Sequence, residues 1–170
     1  MGKFWASIGS LIFFVIAPGT LAGFLPWAFT HWQMRPGFFH LYQIRPAGIA
    51  LIFLGLVPLV ASFARFVFEG LGTPAPIAPP KHLVVGGFYR YVRNPMYVGV
   101  VSAIFGQVLL FGDVRLLWYG AAVWLGFHLF VLVYEEPTLR GMFGEEYKIF
   151  CANVPRWVPR LTPWNANAKV

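Results

Sequence analysis

Two groups of polar residues stand out in a chain that has few. Arg90, Arg93 and Asn94 fall in one short stretch with Tyr89, Tyr91 and Tyr97, and Glu135 and Glu136 sit side by side far along the chain. The sequence holds only 6 Asp and Glu, so two adjacent ones are a marked concentration of acid. From Gly86 to Gly99 the chain joins a flexible Gly86-Gly87 pair to the arginines, the tyrosines and Pro95. Pro95 suits the first position of a helix, with Asn94 as its N-cap. The open amides of such a helix end favour an anion, and a Gly-Gly pair lets the backbone approach a ligand closely. Arginine for a carboxylate, glutamate for an amine or ribose hydroxyls, and aromatic rings for adenine would together hold a zwitterionic small molecule. The plainer alternative is that the glutamates end a helix and pair with arginine for structural reasons alone.

The elements that must position these residues follow from composition. Of 170 residues, 58% are hydrophobic and 11% charged, and there are 18 Phe, 7 Trp and 7 Tyr; the mean hydropathy is +0.66. Soluble domains carry about a quarter charged residues, so a soluble domain, a disordered chain and a collagen are all excluded. The single cysteine, Cys151, excludes a disulfide scaffold. The expected class is an all-α integral membrane protein. No Lys, Arg, Asp or Glu occurs in residues 4–34, 46–64, 94–112 or 116–134, which predicts about four transmembrane helices near 5–29, 46–66, 96–112 and 116–134. Gly112-Asp113 turns the last two into a helical hairpin. Pro18-Gly19 and Pro26 are expected to kink the first helix. Trp5, Trp27, Trp32 and Tyr42 fall at span ends, where amphipathic rings prefer the interface. Residues 70–87, rich in Gly and Pro, read as an irregular linker. Leu139, Met142, Phe143, Tyr147 and Phe150 recur at helical spacing, predicting a C-terminal amphipathic helix from Pro137 to about Asn153 that lies on or against the membrane.

The hairpin brings the two polar groups together, because its open end places Arg90 and Arg93 level with Glu135 and Glu136. The 13 basic residues set the orientation. Lys3, Arg65, Lys81, Arg90, Arg93, Arg140, Lys148, Arg156, Arg160 and Lys169 share one side, and Arg35, Arg45 and Arg115 the other. The positive-inside rule then puts both termini and the polar cluster in the cytoplasm. The net charge of +7 is a topology signal with some attraction to membrane lipids, not a nucleic-acid signal. A cleaved signal peptide ending near Thr20-Leu21-Ala22 is the competing reading of the first span, but the apolar run continues to Phe29 and favours an uncleaved helix. We expect one membrane-embedded domain over 1–170: two N-terminal spans in 1–69, linker and polar motif in 70–95, the hairpin in 96–134, and the Glu-Glu motif with its tail in 135–170.

Gly87-Phe88-Tyr89-Arg90-Tyr91-Val92-Arg93-Asn94-Pro95-Met96-Tyr97-Val98-Gly99, then Glu135-Glu136, then Phe143-Gly144-Glu145-Glu146-Tyr147, and finally Val154-Pro155-Arg156-Trp157-Val158-Pro159-Arg160, resemble the isoprenylcysteine carboxyl methyltransferase family. That family is close in layout to the phospholipid N-methyltransferases. The resemblance covers about residues 80–160. It implies a membrane methyltransferase that uses S-adenosylmethionine, with Gly87, Tyr89, Arg93, Asn94, Pro95 and Tyr97 in the family's first cofactor region and Glu135 and Glu136 in its second. Arg90 belongs to the same stretch, and His128, seven residues before Glu135 on roughly the same helical face, is a further candidate at the cofactor. Arg93, Asn94 and Glu136 are the expected catalytic set. Asn94 stands where the commonest motif has histidine; an asparagine cannot titrate near neutral pH, so it cannot serve as a general base.

Phe143, Tyr147 and Phe150 are expected to roof the pocket or line a lateral entrance for a hydrophobic small-molecule or lipidated acceptor. Arg156 is expected to meet an anionic headgroup or to anchor the tail at the interface. Displacement at a sulfonium asks for neither a protein nucleophile nor a metal, and none is expected. Two rival functions are disfavoured: a proton-coupled exporter needs a carboxylate inside a span, and bis-histidine haem needs more than His128. A non-catalytic relative that keeps the fold stays open. Gln107 and Asp113 read as interhelical or interfacial polar contacts, Cys151 as an ordinary tail residue, and Gly55, Gly99, Gly106 and Gly126 as sites of close helix packing.

Overall fold

The computed structural model describes residues 3–36, 42–69 and 82–165, and the side chains of 11–36, 42–65 and 82–165. Lys81, Lys169 and most of the expected 70–87 linker lie outside the described residues, as do the side chains of Lys3 and Trp5. The described residues are all helical or irregular, with no strand. They form α1 (Lys3–Gly19), a π turn (Thr20–Phe24), α2 (Leu25–Thr30), α3 (Arg45–Glu69), α4 (Pro95–Phe111), α5 (Val114–Phe130), a second π turn (Val131–Glu135) and α6 (Glu136–Asn153). Short 3₁₀ turns at Tyr42–Ile44 and Gly87–Arg90 precede α3 and α4. Leu11–Thr30, Tyr42–Arg65 and Val114–Asn153 are long and apolar enough to cross a bilayer, and Pro95–Phe111 is a shorter apolar helix. The protein is an integral membrane protein.

Proline chemistry explains both π turns. The Leu25 amide donates to Thr20 O across the wider turn, which leaves Leu21 O without its usual partner. Pro26 has no N–H for Ala22 O. Side chains of other helices supply what is missing: the Tyr119 hydroxyl donates to Leu21 O at 2.7 Å and Gln107 Nε2 to Ala22 O at 2.7 Å. The second π turn repeats the pattern, with the Glu136 amide donating to Val131 O one residue before Pro137. The expected distortion at Pro26 is therefore present as a π turn, and its freed carbonyls lock α1 to α4 and α5.

Helices α3 and α4 are antiparallel and approach at two levels through glycine. A Cβ on Gly55 would lie 2.6 Å from Gly99 O, and one on Gly106 would lie 2.7 Å from Gly48 O. No side chain fits at such distances, so the backbones touch directly. Gly48 was not singled out in the sequence. Gly126 corrects the expectation for it: nothing lies within 4 Å of a Cβ built there. Leu59, Phe63, Val100 and Ile104 form the main core, against which Phe13, Phe14 and Leu21 of the first span and Tyr119, Val123 and Phe127 of α5 pack. At the hairpin tip Gly112 takes a φ of 68°, and the Asp113 carboxylate caps α5 through the Arg115 amide at 3.0 Å.

The expected C-terminal helix is present as α6, Glu136–Asn153. Helix α6 follows α5 directly through the second π turn. It departs from helical geometry at Gly144, with a φ of 51°. There Tyr147, Phe150 and Val154 form a buried core of their own with Leu83, Val85, Tyr89 and Trp164.

Candidate active site

Beyond α6 the chain doubles back along the Arg90–Asn94 motif. Arg93 N donates to Pro155 O, Arg160 N to Tyr91 O and Trp164 N to Arg90 O, each at 2.9 Å. These backbone bonds fix the motif and the tail to one another, leaving the side chains free for other work. Asn94 sits before α4 as expected, but its side chain makes no cap. Its Nδ2 donates instead to Arg156 O at 3.2 Å.

Glu136 is the hub of this end. It is 5% exposed and takes Arg156 in bidentate fashion, Nε to Oε1 at 2.6 Å and Nη2 to Oε2 at 3.0 Å. Arg93 Nη1 donates to the same Oε1 at 3.0 Å, and Arg140 approaches at 3.9 Å. A buried carboxylate demands such compensation. The convergence of Arg93 with the Glu-Glu pair is thus present, but all three arginines meet Glu136. Arg156 belongs to this inner cluster rather than to an interfacial anchor.

Glu135 is placed differently. Tyr97 donates its hydroxyl to Glu135 Oε2 at 3.0 Å, and both residues line a cavity of about 280 Å3. Tyr89, Arg93 and Asn94 complete its polar end, while Phe13, Ala17, Pro18 and Leu21 of the first span, Leu59 and Phe63 of α3, Met96 of α4, and Phe127 and Phe130 of α5 form its apolar wall. Tyr97 stacks on Phe127 with centroids 4.6 Å apart. Arg93 lines the cavity, and its Nε is buried without a hydrogen-bond partner. Burial, with the nearby Glu135 charge adding to it, pushes the Tyr89 hydroxyl above its usual range, so it stays protonated. The size approaches the lower end of small-molecule pockets, ~300 Å3.

Several expected site residues lie elsewhere. Arg90 does not face the glutamates: its Nε donates to Trp164 O at 2.7 Å. Gly87 has a φ of 58°, which only glycine adopts freely, but the group that comes close is Arg65. A Cβ on Gly86 would stand 1.5 Å from Arg65 Nη1. His128 accepts a hydrogen bond from Trp157 Nε1 at 3.0 Å and stacks on Trp124. Seven residues bring two side chains to one face only in a regular helix; the extra residue of the π turn rotates Glu135 by ~100° away from His128. Pro95 opens α4 as expected. Neither Glu136 nor any of Phe143, Tyr147, Phe150 and Arg156 lines the cavity. Tyr147 and Phe150 are 3% exposed inside the tail core, with Phe143 packed beside them. They support the motif instead of roofing the pocket. Cys151, expected to be an ordinary tail residue, instead accepts from Arg93 Nη1 through its Sγ at 3.0 Å. Sequence reading passed over the first span's share of the wall, because apolar residues carry no motif.

Residues 44–146 match the phospholipid methyltransferase family. The chain belongs to this family. Curated relatives include the protein-S-isoprenylcysteine O-methyltransferase of Schizosaccharomyces pombe, 35% identical over 80 residues, which are 46% of this chain and 34% of that protein. Protein-S-isoprenylcysteine O-methyltransferase B of Arabidopsis thaliana is 32% identical over 78 residues, 45% of this chain and 39% of the relative. The Dictyostelium discoideum protein-S-isoprenylcysteine O-methyltransferase is 33% identical over 80 residues, 46% and 33% of the two chains. The matches thus span about a third of each relative's length, and they agree with the resemblance carried by the Arg93-Asn94-Pro95 and Glu135-Glu136 motifs.

Proposed function

We propose that this family member transfers a methyl group from S-adenosylmethionine to the carboxylate of a lipid-like or prenylcysteine-type acceptor. One observation carries the reading: a single cavity has a polar end built from Tyr89, Arg93, Asn94, Tyr97 and Glu135 and an apolar wall drawn from three spans and α4. The polar residues suit the cofactor. Arg93 Nε, which lacks a partner, would take its carboxylate, Glu135 its amine or ribose hydroxyls, and the Tyr97–Phe127 pair would offer an aromatic face. The cofactor supplies a methyl activated on a sulfonium, so transfer to an acceptor oxygen is a single displacement with a neutral thioether leaving.

What remains for the protein is placement and dryness. An acceptor carboxylate is ionised at neutral pH and needs no base, so Asn94 in place of a histidine costs nothing in this chemistry. Its role is to hold the tail through Arg156 O. Glu136 acts through Arg93, fixing the guanidinium beside the cavity. The wall of phenylalanines and aliphatic side chains would exclude water and receive the acceptor's apolar chain from the bilayer. The whole chain acts as one membrane-embedded domain, with termini and site on the cytoplasmic side, a reading supported by ten basic residues against three.

The family match favours one second reading, methylation of a phospholipid amine. An ammonium must first lose a proton, and Glu135 is the cavity's carboxylate for that task. Purified protein with methyl-labelled cofactor separates the readings. Base-labile label in a prenylcysteine analogue is the expected result; label appearing only in the amine headgroups of a total lipid extract would replace it with the second reading. No transfer to either, together with no cofactor binding at millimolar concentration, would point to a non-catalytic relative.

A further inference from the structure

The other end of the bundle carries a second charge cluster that methyl transfer does not use. Asp113, 1% exposed, pairs with Arg35 Nε at 3.1 Å and Arg115 Nη2 at 2.7 Å. Arg45 joins them through Nη2, which donates to Arg35 O at 2.8 Å. Two guanidinium groups on the Asp113 carboxylate, with a third from Arg45 alongside, leave a surplus of two positive charges. The Arg35 and Arg115 side chains are half exposed, 51% and 49%, although each already holds the carboxylate.

Directly beside this cluster opens a cavity of about 480 Å3, larger than the one at the candidate active site. Phe14, Pro18, Ala22 and Gly23 of the first span, Ile52 and Leu56 of α3, and Leu110 of α4 line it, and Trp32 and Phe111 stand near its charged end. The junction is direct, because the Arg35 amide donates to Phe111 O at 2.9 Å. From Phe111 to Ala103, both lining residues, the wall extends along α4 for ~12 Å. An open apolar groove that meets an arginine cluster at Phe111 matches one class of molecule in both halves.

We propose that this is a binding site for an anionic phospholipid, its acyl chain in the groove between the first span, α3 and α4, and its phosphate at Arg35 and Arg115 with Arg45 alongside. A zwitterionic lipid offers the same chain but cancels its phosphate charge with an ammonium, so the surplus of two favours a headgroup of net negative charge. Asp113 holds two of the arginines in place, which spares the lipid much of the ordering cost of long side chains.

Trp32 reports on the site. The protein is placed in phosphatidylcholine nanodiscs containing increasing phosphatidylglycerol with brominated acyl chains, and the Trp32 contribution is isolated by difference from Trp32→Phe. Brominated phosphatidylglycerol should quench Trp32 at mole fractions where brominated phosphatidylcholine does not. Replacing Arg35, Asp113 and Arg115 together by Gln, Asn and Gln strands no buried charge and removes one net positive charge, which should raise the half-point about fivefold. Gly23→Leu gives a second test, because a Cβ at Gly23 meets nothing within 4 Å. The added side chain should fill the groove, with the melting temperature kept, and abolish the preferential quenching. Equal quenching by the two brominated lipids, or half-points unchanged in both variants, would overturn the proposal. Displacement by inorganic phosphate at the concentration of the lipid would also overturn it, leaving a simple anion site.

Discussion

Glu135 and Glu136 are neighbours of one type, yet their surroundings assign them different work. Glu136 is enclosed by Arg93, Arg156 and Arg140, whereas Glu135 meets Tyr97 and the cavity. Glu136→Gln should therefore destabilise the protein by about 1–3 kcal/mol, the cost of leaving buried charged donors underpaired, seen as a lower melting temperature with or without cofactor. Glu135→Gln should leave the melting temperature in place and weaken cofactor binding by tenfold or more, read by calorimetry. Asp113 offers a pH test. The hydrogen bonds from Arg115 are the main reason its carboxyl lies below the usual range, with Arg35 adding to it. A depressed acid stabilises the fold above its unfolded value, about 3.9, and loses that contribution as pH falls through the folded value. Asp113→Asn should lower the melting temperature at pH 7, and the gap to the parent protein should close in acid. The sequence located Arg93, Asn94 and the glutamates because arginine and glutamate are rare in a membrane chain. It did not divide the labour within Glu135-Glu136, since which of two adjacent residues faces a cavity depends on a single π turn.

At the scale of elements, the same π turn carries the lesson. The apolar windows between charges located the apolar helices to within a few residues, because charge is expensive in a bilayer. Phase along a helix is a finer property. Pro26 and Pro137 each force a wider turn just ahead of them, and whatever is counted across that turn changes face, as His128 shows. The freed carbonyls make a testable unit. Gln107→Leu should cost about 1–3 kcal/mol by leaving Ala22 O buried and unbonded. In a Pro26→Ala background, where residue 26 regains its N–H, the same change should cost much less, and a double-mutant cycle on unfolding would measure the coupling. The glycine contacts behave more simply. Gly99→Val must push α3 from α4, since a Cβ there already lies 2.5 Å from Gly55 O. A loss of about 1–3 kcal/mol is expected, against no loss for Gly126→Ala.

At the scale of the molecule, the tail is part of the site's construction. Removing the chain after Asn153 would delete Arg156 from the Glu136 cluster and the three backbone bonds that hold Arg90–Arg93. Cofactor binding should be lost outright in the truncated protein, where a surface anchor would have left it intact. The amphipathic spacing of Phe143, Tyr147 and Phe150 revealed a helix with one apolar face, but periodicity does not say what covers that face, and the covering segments are irregular chain.

The paired glycines, set seven residues apart on each helix, have a consequence for the timing of motion. Two points of backbone contact some 10 Å apart along an axis prevent α3 and α4 from tilting or sliding against each other. The first span has no such glycine clasp among the described residues: Tyr119 and Gln107 hold its carbonyls at one level, with a cavity on either side, both bounded by Pro18 and Leu59. Amide protons should therefore exchange with solvent deuterium in a fixed order, those of the first span escaping early and those between Gly99 and Gly106 last. The protein would keep a clock in its backbone, with α3 and α4 as the slow hand and the first span as the fast one.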